Sequence, residues 1–265
     1  MPRANRHYIP GHVWHITHRC HKKEFLLRFA KDRQNWVDWL FEARKRFGTV
    51  ILDYMATSNH IHLLVYDKKG GEVIPKSIQL AAGRTAQEYN QRKGRKGAFW
   101  EDRYHATAVE TDEHLVRCIV YMDLNMVRAG VVKHPSHWRW CGYGEIQNEP
   151  QRYRLIDRKA LMGLLGIRDD DYLTVSHGNW IEKAITNEEK VREGRWSESI
   201  AVGSLSFVEE VKIRLGAKAF GRKIIPGSDS HELREPQLSY PARSRGQKQL
   251  LSPENRLPWC IYDEI

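Results

Sequence analysis

Cysteine is scarce in this 265-residue chain. Cys20, Cys118, Cys141 and Cys260 stand far apart with no C-x-x-C spacing, so neither a zinc ribbon nor a disulfide framework organises it, and a reducing compartment fits. No apolar run reaches the ~20 residues that a membrane helix needs. The first eight residues carry no apolar signal-peptide core. A cytoplasmic protein without membrane contact is expected. No Gly-x-x-x-x-Gly-Lys-[Ser/Thr] loop occurs either, which leaves an attached phosphate-loop helicase without support.

What the chain does have is positive charge. Lys and Arg number 43 against 33 Asp and Glu, giving a formal net charge of +10 and a pI near 9.4. An excess of this size points to a polyanionic partner, above all nucleic acid, without identifying a site. A hydrophobic fraction of 41% is enough for a substantial core.

Hydrophobic periodicity organises the first half. Residues 11–19 alternate as a strand, and Trp36, Trp39, Leu40, Ala43 and Phe47 recur at helical spacing between a starting Asp32 and a terminating Gly48. Residues 50–56 and 60–66 read as two strands joined by a Thr57-Ser58-Asn59 turn. A helix entered at Pro75 follows, then a basic loop over 91–97, a strand over 104–109, and a helix from a capping Asp112 to Gly130. The first six elements give an α+β fold, the ferredoxin-like split β-α-β core, with an antiparallel sheet and one extra helix. That helix follows the fourth strand directly, so it can pack on the sheet face that carries His60 and His62. Residues 158–165, 180–191 and 205–220 look helical. The expected division is a domain over 1–145, a mainly helical extension over 146–235 and a flexible Pro/Ser/Arg-rich tail over 236–265.

The chemistry concentrates at Ser58-Asn59-His60-Ile61-His62-Leu63-Leu64-Val65. On a strand His60 and His62 share a face while Ile61 points to the other, so two imidazoles stand together as half a metal site. Chance placement of 13 His predicts about 0.6 such pairs, so the pair alone is equally well read as two structural histidines. The late helix supplies partners. Tyr121 and Asn125 lie one turn apart. The Asn carbonyl can complete a His, His, amide set around Mg²⁺ or Mn²⁺, and the Tyr121 phenol then stands beside it as a candidate nucleophile. Tyr104, next to His105, is a rival nucleophile, and Tyr121 can equally be an ordinary half-buried aromatic. His15 and His18 lie on opposite faces and read as structural or DNA-contacting. His114, two turns before Tyr121, reads as a solvated first-turn residue.

The Ser58–Leu64 run, the later Phe99-Trp100-Glu101-Asp102-Arg103-Tyr104 and the Tyr121-x-x-x-Asn125-x-Val127-Arg128-Ala129-Gly130 helix resemble the HUH single-tyrosine transposases, in particular the REP-associated tyrosine transposases. The resemblance runs from Arg3 to about Trp140. The segment over 205–236, with Gly221-Arg222 and Glu232-Leu233-Arg234-Glu235-Pro236, is similar to a C-terminal extension of some members. The resemblance implies that His60, His62 and Asn125 hold a divalent metal, Mg²⁺ or Mn²⁺, and that Tyr121 attacks a phosphate of single-stranded hairpin DNA, leaving a 5′-phosphotyrosine link and a free 3′-hydroxyl. Where the family often has Pro after the Asn, this chain has Met126, so the helix is expected to run on more smoothly.

Arg3, Arg6, Arg92, Lys93, Arg95, Lys96, Arg103, Arg117 and Arg128 are candidates for phosphate contacts, with Trp14, Phe99, Trp100 and Trp138 available to stack on bases or to fill the core. The basic N-terminal arm can follow a strand or enter a groove. Two other readings remain open: a domesticated hairpin-binding protein without catalysis, and an HUH replication initiator. Oligomeric state is open between monomer and homodimer.

Overall fold

The computed structural model describes residues 9–68, 70–187 and 193–235. Arg3, Arg6, the rest of the N-terminal arm, the end of the 180–191 segment and the tail over 236–265 lie outside them.

Strands β1 (Val13–Arg19), β2 (Val50–Ala56), β3 (His60–Tyr66) and β4 (His105–Val109) form the heart of a sheet in the order β2-β3-β1-β4. Pairings β2–β3, β3–β1 and β1–β4 are antiparallel. Helices α1 (Ala30–Phe47) and α2 (Val73–Lys93) connect β1 to β2 and β3 to β4 and pack on each other. This is the split β-α-β order expected from the sequence. Gly48 ends α1 with φ 70°, and its N–H bonds the Arg44 carbonyl. A residue with a Cβ would be strained in that left-handed conformation.

Alternation divides the sheet into two unlike faces. Trp14, Ile16, Ile61, Leu63 and Val65 all have exposures of 3% or less, and they make the face opposite to His60 and His62. Register puts His15, Thr17, His60, His62, His105 and Thr107 on the other face, because Thr17 stands opposite both His62 and His105, and His15 opposite Thr107.

That second face is covered by α3 (Glu113–Asp123). Leu115, Cys118, Ile119 and Met122 recur at three- and four-residue steps and are 1% exposed or less, so one side of α3 seals onto β2 and β4. Val120 and Leu124 turn to a second apolar cluster with Met55, Trp138, Cys141, Ile181 and Ala184. Asp112 holds the N-cap position of α3 with φ 65° and makes no side-chain cap bond.

The Tyr121 helix does not run on smoothly. It stops at Asp123, passes through Leu124 (φ −79°, ψ 2°) and restarts as α4 (Asn125–Arg128). Met126 keeps the N–H that proline would lack, so the cause lies in packing. The Asp123 carboxylate is drawn inward by His177 Nε2 at 2.8 Å, while Leu124 and Met126 both bury in the second cluster.

Beyond α4 the chain adds α5 (Tyr143–Gln147), α6 (Arg158–Leu164), α7 (Asp170–Thr186), α8 (Arg195–Glu198) and α9 (Leu205–Leu215). Mainly helical, as expected, this extension also carries three strands that the sequence reading did not contain: β5 (Ser199–Gly203), β6 (Lys223–Pro226) and β7 (His231–Arg234). β5 pairs in parallel with β4, and β7 and β6 follow by antiparallel pairing, making a seven-stranded sheet.

Candidate functional site

The edge where β1 and β3 emerge beside α3 opens into a cleft of about 800 Å³, lined among others by Arg19, Lys23, His60, His62, Arg103, His105, Tyr121, Asn125, Arg128 and Glu198. All four residues singled out for chemistry, His60, His62, Tyr121 and Asn125, reach it. The His60 and His62 ring centroids are 4.8 Å apart. The Tyr121 ring stands 6.0 Å from His62, and the Asn125 amide meets His62 Nε2 at 3.1 Å.

Hydrogen bonding fixes how the imidazoles present themselves. His15 Nδ1 lies 2.7 Å from the Trp196 carbonyl, and His15 Nε2 lies 2.9 Å from His62 Nδ1. A carbonyl only accepts, so His15 Nδ1 carries a proton. In a neutral His15 the Nε2 then accepts from His62 Nδ1–H. This leaves His62 Nε2 as an acceptor aimed at the Asn125 amide and the cleft. His60 follows the same logic, since its Nδ1 lies 2.7 Å from Asn59 Oδ1 and 2.9 Å from Thr57 Oγ1, and that hydroxyl already donates to the His60 carbonyl. Burial favours the neutral rings. It pushes His15 down to about 4, with further lowering from His105 and His60, and it holds His62 well below the usual histidine range, with His60 and His15 adding to the effect.

Among the described residues, no three His, Cys, Asp or Glu side chains are grouped to hold a metal. The candidate set is therefore two imidazoles and one amide. It suits a divalent cation in chemistry: each histidine has Nδ1–H occupied by an orienting partner, and the amide can turn its oxygen toward the same point.

Arg128 lines the cleft and also covers Tyr121. Its guanidinium lies 4.2 Å over the Tyr121 ring and donates to the Tyr121 carbonyl at 2.5 Å. Burial lowers its pKa against the opposing pull of Tyr121 and Glu193. Of the other basic candidates, Arg103 lines the cleft. Arg92 is paired with the buried Asp32 and Arg117 with Glu113 and Asp229. Arg95 donates to the Ala98 carbonyl at 2.9 Å, and Lys93 sits 5.3 Å from the Phe29 ring centroid. Lys96 is exposed, outside the cleft lining. Trp14, Phe99 and Trp138 are core residues, and Trp100 stacks on His18 at 4.2 Å. His114 faces Glu110.

The sequence reading took His15 as structural or DNA-contacting without its link to His62, and it missed Arg19, Lys23, Thr107 and Trp196. Strand alternation does place His15 and Thr107 on the His62 face, but Trp196 is 181 positions from His15 and no local pattern announces it.

Residues 9–122 match the family model described as "Transposase IS200 like". The comparison with curated proteins gave no match. Among solved structures the chain is similar to a REP-associated tyrosine transposase bound to a REP hairpin, at 17% identity and TM-score 0.43, covering 64% of this chain and 90% of that one. It is also similar to a putative transposase from Deinococcus radiodurans, at 16% identity and TM-score 0.32, covering 43% and 90%. Over residues 9–122 the chain is thus similar to the IS200-like transposases, the resemblance to which the histidine pair and the Tyr121 helix had already pointed.

Proposed function

We propose that this chain is an HUH-type enzyme that nicks and rejoins single-stranded DNA at hairpins, with Tyr121 as its nucleophile. The observation that carries the reading is the meeting of the Tyr121 ring, the His60–His62 pair and the Asn125 amide at one open cleft. An open cleft of this size suits an extended strand better than a small enclosed ligand.

In the reaction the Tyr121 Oη forms a bond to a backbone phosphorus and the P–O3′ bond breaks. The electron pair leaves on the 3′-oxygen, which takes up a proton, and the phenol gives its proton to solvent. Phosphodiester bonds are exchanged, so attack of the 3′-hydroxyl on the phosphotyrosine runs the step backward and rejoins a strand. The Arg128 guanidinium over the ring faces the negative charge that grows on the phenol oxygen as its proton departs. His60, His62 and Asn125 would hold the divalent ion, Mg²⁺ or Mn²⁺, which when bound polarises the phosphate and offsets its charge. Arg19, Lys23 and Arg103 on the cleft wall are placed for the strand's phosphates. The extension over 146–235 acts with the first domain on DNA.

The test is incubation of wild type and Tyr121→Phe with labelled single-stranded hairpins taken from the DNA flanking its own gene, with Mg²⁺, Mn²⁺ or EDTA. A metal-dependent covalent adduct that the variant cannot form is the expected result. Tight binding with no adduct under any of these conditions identifies the protein as a hairpin binder without catalysis and overturns the proposal.

A further inference from the structure

We infer that Trp196 and His15 are positioning residues: the Trp196 backbone carbonyl, acting through the His15 ring, fixes His62 in the tautomer whose Nε2 lone pair faces the cleft. This rests on the proposed role of His62 as a metal ligand, and it adds a working part of the site from the C-terminal extension, 74 positions beyond the matched residues 9–122.

The chain of contacts is short and buried. The Trp196 carbonyl, His15 Nδ1, His15 Nε2 and His62 Nδ1 follow one another at 2.7 and 2.9 Å across the intervening ring. His15 is 0% exposed and His62 3%. The two rings are parallel within 3° at 5.1 Å, the geometry of diagonal neighbours on antiparallel strands. Neutral imidazole has two tautomers close in energy, so neither is fixed without an outside partner. Here the direction of the whole chain is set at its far end, by an atom that can only accept.

That atom is well placed and firmly held. A helix leaves its last carbonyls without internal partners, and α8 is four residues long, so the Trp196 carbonyl is open to accept from His15, while the Thr107 hydroxyl beside it donates to the Ser199 carbonyl at 2.6 Å. The Trp196 indole is fully buried and donates to Glu193 at 2.9 Å. Next to it, Arg195 binds Asp229 at 2.5 Å, and Asp229 also pairs with Arg117 of α3. The same helix that carries Tyr121 is thereby tied to α8. Partners of this kind, bonded to the far nitrogen of a ligating histidine, typically change metal affinity by 10- to 100-fold when removed.

The experiment compares wild type, His15→Leu, which ends the chain of contacts, and His15→Gln, whose amide can both donate to the carbonyl and accept from His62. Near-UV circular dichroism checks the fold of each. Long-range ¹H–¹⁵N correlation reads the His62 tautomer without metal, and Mn²⁺ titration followed by electron paramagnetic resonance reads affinity. Expected are the Nδ1–H tautomer of both His15 and His62 in wild type, retention of the His62 tautomer in His15→Gln, and its loss in His15→Leu with Mn²⁺ affinity weakened about 10- to 100-fold. An Nε2–H tautomer for His62 in wild type overturns the inference, and that reading stands even if His15→Leu fails to fold. Unchanged Mn²⁺ affinity in a folded His15→Leu overturns it as well. Wild type with the expected tautomer but no Mn²⁺ uptake sinks the metal site under "Proposed function" and leaves the positioning chain intact.

Discussion

The two faces of the core sheet are built from the same four strands and do opposite work. On β1 the apolar positions Trp14 and Ile16 alternate with His15 and Thr17, and on β3 Ile61 and Leu63 alternate with His60 and His62. The face carrying Trp14, Ile16 and Leu63 holds hydrocarbon excluded from water, which supplies most of the driving force for folding. The other face buries imidazoles, a hydroxyl and the Asp53 carboxyl, each costly unless hydrogen-bonded. The histidines and Thr107 are bonded, whereas Asp53 Oδ2 has no hydrogen-bond partner. One face therefore stabilises the domain, and the other spends some of that stability on a pre-positioned site.

If that division holds, substitutions on the two faces separate activity from stability. Tyr121→Phe removes one oxygen and should abolish adduct formation, a loss of at least about 10³-fold on denaturing gels, while the unfolding free energy in urea shifts by less than about 1 kcal/mol. Leu63→Ala, on the apolar face and 2% exposed, should cost about 2–5 kcal/mol in urea unfolding and leave adduct formation per folded molecule unchanged. A large activity loss with Leu63→Ala at full folding would erase the distinction.

The division also explains what was legible in the sequence. Strict period-two alternation, the glycine after α1 and the helical spacing of Leu115, Cys118, Ile119 and Met122 are local signals, and they gave the order and place of the first seven elements. The histidine pair and the Tyr121–Asn125 spacing were legible for the same reason. Strands β5, β6 and β7 were not, because each is four or five residues long and its strand character comes from pairing with a partner distant in sequence. The break at Leu124 was hidden likewise, since His177 lies 54 positions from Asp123. Arg92 and Arg117 were offered as DNA contacts on charge alone; Glu113, one turn from Arg117, was within reach of the sequence, but Asp32 and Asp229, 60 and 112 positions from Arg92 and Arg117, were not.

The polar face should also reveal itself in acid. His15 is held at about 4 by burial, below the usual 6.5, so as pH falls below 6.5 the unfolded chain takes up a proton that the folded one refuses. Stability should drop between pH 6.5 and about 4 and then level off, by roughly 3 kcal/mol at most from this group. His62 adds in the same direction. His15→Gln should flatten the slope in urea unfolding at a series of pH values, and an unchanged slope would show that the ring is not buried in its neutral form. Asp53 works the other way. Burial first, and then the neighbouring Asp123, raise its pKa well above normal, so the folded state keeps a proton that the unfolded state releases as pH rises. Asp53→Asn should therefore stabilise the protein more at pH 8 than at pH 5, and equal shifts at both would contradict it.

The central claim is that chemistry occurs at Tyr121, on the helix that covers the polar face, and the most direct measurement is to locate the attached nucleotide. The protein is incubated with hairpin DNA, digested with trypsin and nuclease, and mapped by mass spectrometry. Cleavage after Arg103, Arg117 and Arg128 puts Tyr104 and Tyr121 on separate peptides. The account predicts the phosphodiester adduct on the 118–128 peptide at Tyr121, and an adduct on Tyr104, or none on any tyrosine, contradicts it.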